Sequence, residues 1–388
     1  MSARRVFFYV QHLLGIGHLK RAATLARALA AEGLDVTLAS GGVPVPAIAT
    51  GGARLVQLPP ASAADGGFKK LLDANGREID AKWKRERAAN LLAAWRAADP
   101  HVLVLELFPF GRRQMRFELL PLLEAAAAAL RRPLVFCSVR DILGGQRSPE
   151  RVQETAALVE RCFDRVLVHG DPAVVAFERT FPEAARIAGR IQYTGYVVDP
   201  AAGNGSNAGA DEVIVSAGGG AVGAELLGCA IRARSLSVAK DRTWRVLAGA
   251  NLPERDYAGL ARLVAEFGAG RVVLERARSD FTTLLANCHL SVSQAGYNTL
   301  MEVVQARARA VAVPFAGGNE SEQTLRARCF AERGLVELVE ENGLSPGILA
   351  TAVDRASRKQ RPSPRAINLD GARASAVLVA RWAGERAG

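Results

Sequence analysis

The stretch VSQAGYNTLMEVVQARARAVAVPFAGGNESEQ, residues 292–323, decides how this chain folds. It reads as the end of a strand, a Gly-containing turn, a helix start, a second strand and a polar loop. Gly296 lets the backbone turn sharply, and Asn298 and Thr299 are placed to cap a helix running to about Ala308. The first-turn N–H groups of such a helix have no partner within it, so they face outward toward an anion, and a diphosphate fits best. A strand–Gly–helix junction also arises where only a small residue is needed, so the reading depends on whether the pattern recurs.

It recurs along the whole chain. VFFYV (6–10) precedes a helical pattern from about His18 to Glu32, and VTLAS (36–40), HVLVLEL (101–107), LVFCSV (134–139) and RVLVHG (165–170) follow. The stretch 61–84 has no clear period and is expected to be a mobile loop. DPAAGNGSNAGAD (199–211) carries no apolar pattern and marks a linker. The alternation restarts with EVIVSAGGG (212–220), WRVLAG (244–249), RVVLE (271–275), HLSVSQ (289–294) and AVAVPF (310–315). This βαβ rhythm predicts an α/β protein with parallel sheets and helices on both faces. The expected architecture is two Rossmann-like, doubly wound domains facing across a cleft. They span 1–198 and 212–365, joined by the 199–211 linker and followed by a C-terminal helix over 366–388. Ligands of open α/β sheets sit beyond the carboxyl ends of the strands, which draws attention to the Gly-rich turns at Gly15–Gly17, Gly218–Gly220 and Gly317–Gly318.

Bulk properties fit two globular domains: 388 residues, 49% hydrophobic, with no apolar run near the roughly 20 residues that span a bilayer. VFFYV is too short for a signal h-region, so a cytoplasmic protein is expected. Five cysteines, none in C-x-x-C spacing, read as reduced core thiols. Of the net charge of +11, most sits early: residues 1–195 carry 27 Lys+Arg against 19 Asp+Glu, the remainder 23 against 20. No nucleic-acid-binding motif accompanies the charge, so no nucleic-acid partner is expected. Attraction to anionic headgroups at the inner face of a membrane, or to a phosphorylated acceptor, suits it equally, and so do solvated Arg-rich helix faces.

In QHLLGIGHLKRAATLARAL (11–29), Gly17 directly precedes His18 at a helix N-terminus, without the G-x-G-x-x-G continuation of a dinucleotide fingerprint. The positive field there favours neutral imidazole, so His18 is placed to serve as a general base; packing at the turn is the structural alternative. Gly218, Gly219 and Gly220 offer a second phosphate cradle, or simply a small-residue turn. Glu302, six residues after Gly296, is placed to accept two ribose hydroxyls, or is a solvated surface glutamate. Glu322 and Gln323 offer an acceptor and an amide to a sugar, or cap a helix. Glu106, Arg140, Asp141 and His169 fall at strand ends of the first domain, where each either orients His18 or an acceptor, or forms a structural ion pair or cap. There is no D-x-D, and no metal or cofactor is expected.

Together Gly17–His18, Gly218–Gly220, Gly296–Thr299 with Glu302, and PFAGGNESEQ (314–323) resemble the inverting nucleotide-sugar glycosyltransferases of the GT-B fold. The similarity is greatest to glycosyltransferase family 28, the family of the peptidoglycan N-acetylglucosaminyltransferase. ELFPFGRRQMRFELLPLL (106–123) and SVRDIL (138–143) also resemble a group of predicted bacterial glycosyltransferases. The resemblance implies that the 296–299 turn holds the diphosphate of a UDP-sugar, Glu302 the ribose, and Glu322–Gln323 the donor sugar, with His18 on the acceptor side. It implies a metal-independent hexosyltransferase acting on an acceptor hydroxyl. GIGHLKR with TLARAL also resembles the UDP-sugar hydrolases of the same fold, in which water replaces the acceptor. FPFGRRQMRF mixes aromatic and basic residues, which reads either as a membrane contact or as buried Phe108 and Phe110 beside a basic helix.

Overall fold

A computed structural model describes residues 3–46, 48–64, 70–145, 147–200, 206–218, 223–315, 317, 321–363 and 366–386. Two compact units divide the chain: Met1–Leu143 with Arg147–Val197 and Asn368–Gly388, and Gly144–Gln146 with Val198–Ile367.

The first unit runs β1 (Arg5–Val10), α1 (Gly17–Ala31), β2 (Asp35–Ser40), β3 (Arg54–Gln57), β4 (Ser62–Ala63), β5 (Leu71–Leu72), α2 (Ala81–Ala98), β6 (Val102–Glu106), α3 (Arg116–Ala127), β7 (Leu134–Arg140), α4 (Pro149–Cys162), β8 (Arg165–His169) and β9 (Ile191–Tyr193). Seven strands form one parallel sheet in the order β3-β2-β1-β6-β7-β8-β9. Its central strands are mainly apolar because both faces are covered, with polar residues toward their carboxyl ends. In β1, Phe7 and Tyr9 enter the core that includes Leu91 and Trp95 of α2 and Leu119 and Leu122 of α3. Val6, Phe8 and Val10 enter the opposite core, with Leu19, Leu25 and Leu29 of α1.

The second unit contains β10 (Val213–Ser216), α5 (Ala224–Ala233), β11 (Trp244–Ala248), α6 (Glu254–Phe267), β12 (Val272–Arg276), α7 (Phe281–Asn287), β13 (Leu290–Gln294), α8 (Tyr297–Gln305), β14 (Ala310–Val313), α9 (Glu322–Glu332), β15 (Glu337–Leu338) and α10 (Pro346–Arg358). Its parallel sheet is ordered β12-β11-β10-β13-β14-β15. A last helix, α11 (Gly371–Glu385), belongs to the first unit and packs on α1, with Trp382 edge-on to Phe136 at 5.4 Å between ring centroids.

Several sequence expectations change. The stretch over 61–84 holds the short β4–β5 hairpin and the start of α2, whose N-cap Asp80 accepts the Trp83 N–H at 2.7 Å. β3, β9 and β15 are sheet strands of two to four residues, too short to show a period. Gly296, rather than Asn298 or Thr299, is the N-cap of α8, and no side chain caps that helix. The helix ends at Gln305 instead of Ala308, with Arg307 in the left-handed region at φ 54. Phe108 and Phe110 are buried, so FPFGRRQMRF presents no aromatic anchor at those two positions, and Arg113 and Arg116 share the single carboxylate of Glu154, each at 2.5 Å. No helix among the described residues is long and apolar enough to cross a membrane.

Candidate active site

Each sheet reverses its winding direction once, and the turns after β1, β10 and β13 lie at those reversals, whereas Gly317 follows β14. In the first unit β1 sits between β2 and β6, so the crevice opens beyond the carboxyl ends of β1 and β6. The loop after β1 leads through Gly17 into α1 and places His18 in its first turn; Glu106 is the last residue of β6. His18 Nδ1 lies 3.0 Å from Glu106 Oε1, with the His18 side chain 17% exposed and the Glu106 side chain fully buried. Arg21, one helical turn after His18, bonds the same carboxylate oxygen and approaches His18 Nδ1 at 3.2 Å.

A line of buried polar groups continues behind this pair. Ser138 is the register neighbour of Glu106 on β7, and its hydroxyl donates to Glu106 Oε2 at 2.5 Å. Ser138 Oγ also lies 2.9 Å from His169 Nε2, and His169 Nδ1 lies 2.9 Å from Thr194 Oγ1.

The protonation states follow from the surroundings. Burial, reinforced by the Arg112 guanidinium, holds His18 well below the ordinary histidine value, and the bond to Glu106 only partly offsets this. Burial opposes the charge of Glu106, but Arg21 and His18 outweigh it and keep the carboxyl ionised far below the usual range. Burial pushes His169 down to about 3, so it is neutral. The contact between His18 Nδ1 and an ionised carboxylate requires Nδ1 to carry the proton, since a carboxylate donates nothing. Nε2 then carries the lone pair, which is the arrangement of a general base.

The other first-unit candidates divide. Asp141 is committed to the fold: its carboxylate accepts the Tyr196 hydroxyl at 2.8 Å and the Ile142 N–H at 2.9 Å. Arg140 ends β7, half-buried, and its charge also disfavours protonation of His18. Arg112, held in the left-handed region at φ 61, donates to the Gln11 carbonyl at 2.7 Å.

In the second unit the winding reverses between β10 and β13. Gly218 follows β10 and Gly296 follows β13, so two of the proposed phosphate turns flank the same crevice. Gly218 adopts φ 74, which favours glycine, and its N–H bonds Ser216 Oγ at 3.1 Å. A Cβ on Gly218 would lie 3.9 Å from Thr299 Oγ1, which brings the two turns together. Gly219, Gly220 and Gly318 lie outside the described residues. Asn298 and Thr299 occupy the first turn of α8, and Glu302 lies half-buried in its second. Glu322, at the start of α9, turns inward: it is 5% exposed and its Oε1 pairs with buried Arg326 at 2.8 Å. Gln323 Oε1 accepts the Phe315 N–H at 3.1 Å. Gln323 therefore links Phe315 to α9, whereas Glu322 is paired within α9. Among the described residues no cluster of three or more His, Cys, Asp or Glu is arranged to hold a metal ion.

Sequence reasoning missed Arg21, Ser138, Thr194 and Arg112. Ser138 left a trace, as a polar residue inside an apolar strand; Arg21 left another, as a basic residue one turn after His18 that proves buried.

The fold is that of the two-domain GT-B glycosyltransferases. The chain superimposes on the crystal structure of MurG from Acinetobacter baumannii with a TM-score of 0.62 and 14% identity, covering 98% of this chain and 99% of that one. CalG4, the calicheamicin glycosyltransferase, gives a TM-score of 0.61 at 16% identity over 99% and 97% of the two chains. Residues 272–377, from β12 into α11, match the glycosyltransferase family 28 C-terminal domain. In sequence, 82 residues are 34% identical to the UDP-N-acetylglucosamine--N-acetylmuramyl-(pentapeptide) pyrophosphoryl-undecaprenol N-acetylglucosamine transferase of Dichelobacter nodosus. That alignment takes in 21% of this chain and 22% of the relative, so it spans about a fifth of either protein.

Proposed function

We propose that the protein is an inverting glycosyltransferase that moves a sugar from a nucleoside diphosphate sugar, a UDP-sugar, to an acceptor hydroxyl without a metal ion. The observation that carries the reading is the His18–Glu106 pair at 3.0 Å, at the winding reversal of the first sheet. Support on the donor side comes from the family 28 segment, which begins at β12 and contains the Gly296–Thr299 turn and Glu302.

In this mechanism His18 Nε2 removes the acceptor hydroxyl proton while the oxygen bonds to C1 of the sugar. The C1–O bond to the diphosphate breaks through an oxocarbenium-like state, and its electron pair leaves with the nucleoside diphosphate. Attack opposite the leaving group inverts the anomeric centre. Glu106 keeps the proton of His18 on Nδ1 and stabilises the imidazolium that forms. The uncapped N-terminus of α8 and the Gly218 turn stabilise the charge gathering on the diphosphate. Glu302 takes the ribose hydroxyls, and Glu322 and Gln323 at the start of α9 lie on the donor-sugar side.

The test is nucleotide release from a panel of UDP-, dTDP- and GDP-sugars, with and without an extract containing acceptors. Extract-dependent release from UDP-sugars is expected, and His18→Ala should lower kcat by roughly 10²- to 10⁴-fold while leaving UDP affinity intact. Equal release without extract would replace the transferase reading with hydrolysis. Silence across the panel would remove the donor assignment.

A further inference from the structure

We infer that Ser138, His169 and Thr194 form a buried positioning chain that fixes the Glu106 carboxylate, and through it the tautomer of His18. The chain rests on the reading of His18 as the base. None of the three touches the reacting atoms in this account; each acts through the next.

Proton accounting carries the inference. Glu106 is ionised and accepts only, so the single Ser138 hydroxyl proton goes to Oε2. The oxygen of Ser138 therefore meets His169 Nε2, 2.9 Å away, as an acceptor, and His169 must carry its proton on Nε2. A neutral ring with Nε2–H has a lone pair on Nδ1, so the contact at 2.9 Å to Thr194 requires the threonine hydroxyl to donate. That choice costs Thr194 its contacts to the carbonyls of Gly195 at 3.2 Å and Val168 at 3.5 Å, both longer than the bond to His169. The opposite orientation would put a bare Nε2 lone pair against the Ser138 oxygen. A doubly protonated His169 would place a cation in a fully buried site. One pattern of donors thus satisfies the line from Thr194 to Glu106.

Glu106 Oε1 has two lone pairs and accepts both Arg21 and His18 Nδ1–H. An unprotonated Nδ1 would instead set its lone pair against the carboxylate at 3.0 Å, with only Arg21 at 3.2 Å in compensation. Arg21 competes with His18 for the carboxylate. The Ser138 bond to Oε2 prevents Glu106 from rotating to meet Arg21 with both oxygens, which would strip His18 of its acceptor. The chain is built from three adjacent strands, with Glu106 ending β6, Ser138 near the end of β7 and His169 ending β8, and from Thr194, the residue that follows β9.

The experiment uses the full-length protein labelled with 15N-histidine, with ring nitrogens read by NMR alongside steady-state kinetics. Wild type should show His18 as the Nδ1–H tautomer and His169 as the Nε2–H tautomer; the reverse tautomer at either ring overturns the inference. Ser138→Ala should convert His18 to a tautomer mixture. It should also lower kcat by about ten- to hundredfold, the scale of one hydrogen bond to a charged group, without changing KM for the donor. Ser138→Thr, which keeps the hydroxyl, should restore both. A Ser138→Ala protein with wild-type His18 tautomer and kcat would sink the positioning role. Should that variant fail to fold, Thr194→Val at the far end should free His169 to exchange tautomers, and an unchanged His169 signal counts against the chain. His18→Ala separates the two readings: full turnover in that variant defeats His18 as base whatever the tautomers, whereas a dead His18→Ala with a wild-type Ser138→Ala defeats only the chain.

Discussion

Glu106→Gln is the most discriminating single change, because it preserves shape and alters only what the two oxygens can do. Glu106 now accepts from His18 at 3.0 Å, from Arg21 on the same oxygen, and from Ser138 at 2.5 Å. A glutamine can place its oxygen toward Ser138, so that its NH2 faces Arg21 and donates to His18 Nδ1; His18 then carries its proton on Nε2 and has no lone pair for the acceptor. Turned the other way, the NH2 meets Ser138, whose hydroxyl proton loses its acceptor, and Arg21 faces a neutral amide. Either orientation leaves the Arg21 guanidinium, 2% exposed, without its countercharge. The expected loss in kcat is roughly 10²- to 10⁴-fold, the usual worth of a correctly poised base. The unpaired buried charge should cost roughly 3–5 kcal/mol of stability, or on the order of 10 °C in the melting of the first unit. Nucleotide release measured with acceptor present, UDP titration calorimetry and thermal unfolding form the assay, and UDP affinity should not change. Turnover within about threefold of wild type would refute the His18–Glu106 assignment; full stability would refute the buried charge pairing.

Gly296→Ala should leave the fold nearly untouched, within about 0.5 kcal/mol, since φ −61 and ψ 145 suit alanine and a Cβ there meets no atom within 4 Å. The methyl would stand where the diphosphate approaches α8, so UDP affinity by calorimetry should fall about tenfold or more; unchanged affinity would move the diphosphate elsewhere. Arg87 is fully buried and serves three loops, donating to Gln11 Oε1 at 3.0 Å, to the Gly41 carbonyl at 3.2 Å and to the Pro59 carbonyl, besides pairing with Glu118 at 2.9 Å. Arg87→Met should therefore cost roughly 3–5 kcal/mol, read by chemical unfolding of the full chain. Acid sensitivity follows from His169, whose folded value lies near 3. The unfolded chain takes up that proton below about pH 6.5 and the folded one does not, so stability is complete above pH 6.5 and declines as pH falls. Between pH 6 and 5, above the range where Glu106 contributes, His169→Gln should flatten the decline by about 1 kcal/mol per pH unit in pH-dependent unfolding.

The fold was legible because a buried parallel sheet writes itself locally. Its strands are short apolar runs, its helices amphipathic, and its turns rich in glycine, so β1, β2, β6, β7 and β8 and the central strands of the second unit stand out in the sequence. Edge strands such as β3 and β15 do not: with only part of their surface covered they need no apolar run, and their pairing partner supplies the order. The turn at Gly296 was visible, but its capping was not, since Asn298 and Thr299 look like caps until the backbone shows the helix beginning at Tyr297. Glu322 illustrates the same gap, for its pairing with Arg326 four residues on is a local helix pattern, but nothing local says that the pair is buried.

By itself the sequence determined which residue types stand at the carboxyl ends of strands, because strand, turn and helix signals are set by neighbours a few positions apart. His18, Glu106 and His169 were found in that way, each at an expected strand or helix end. Only the tertiary structure decided that they meet. Glu106 is 88 residues from His18 and Ser138 a further 32, and what joins them is the strand order β1-β6-β7-β8, fixed by long-range pairing that no local pattern encodes. Surroundings then set the chemistry: burial makes the imidazoles neutral, Arg21 and His18 keep the carboxylate ionised against burial, and each proton has one place to go.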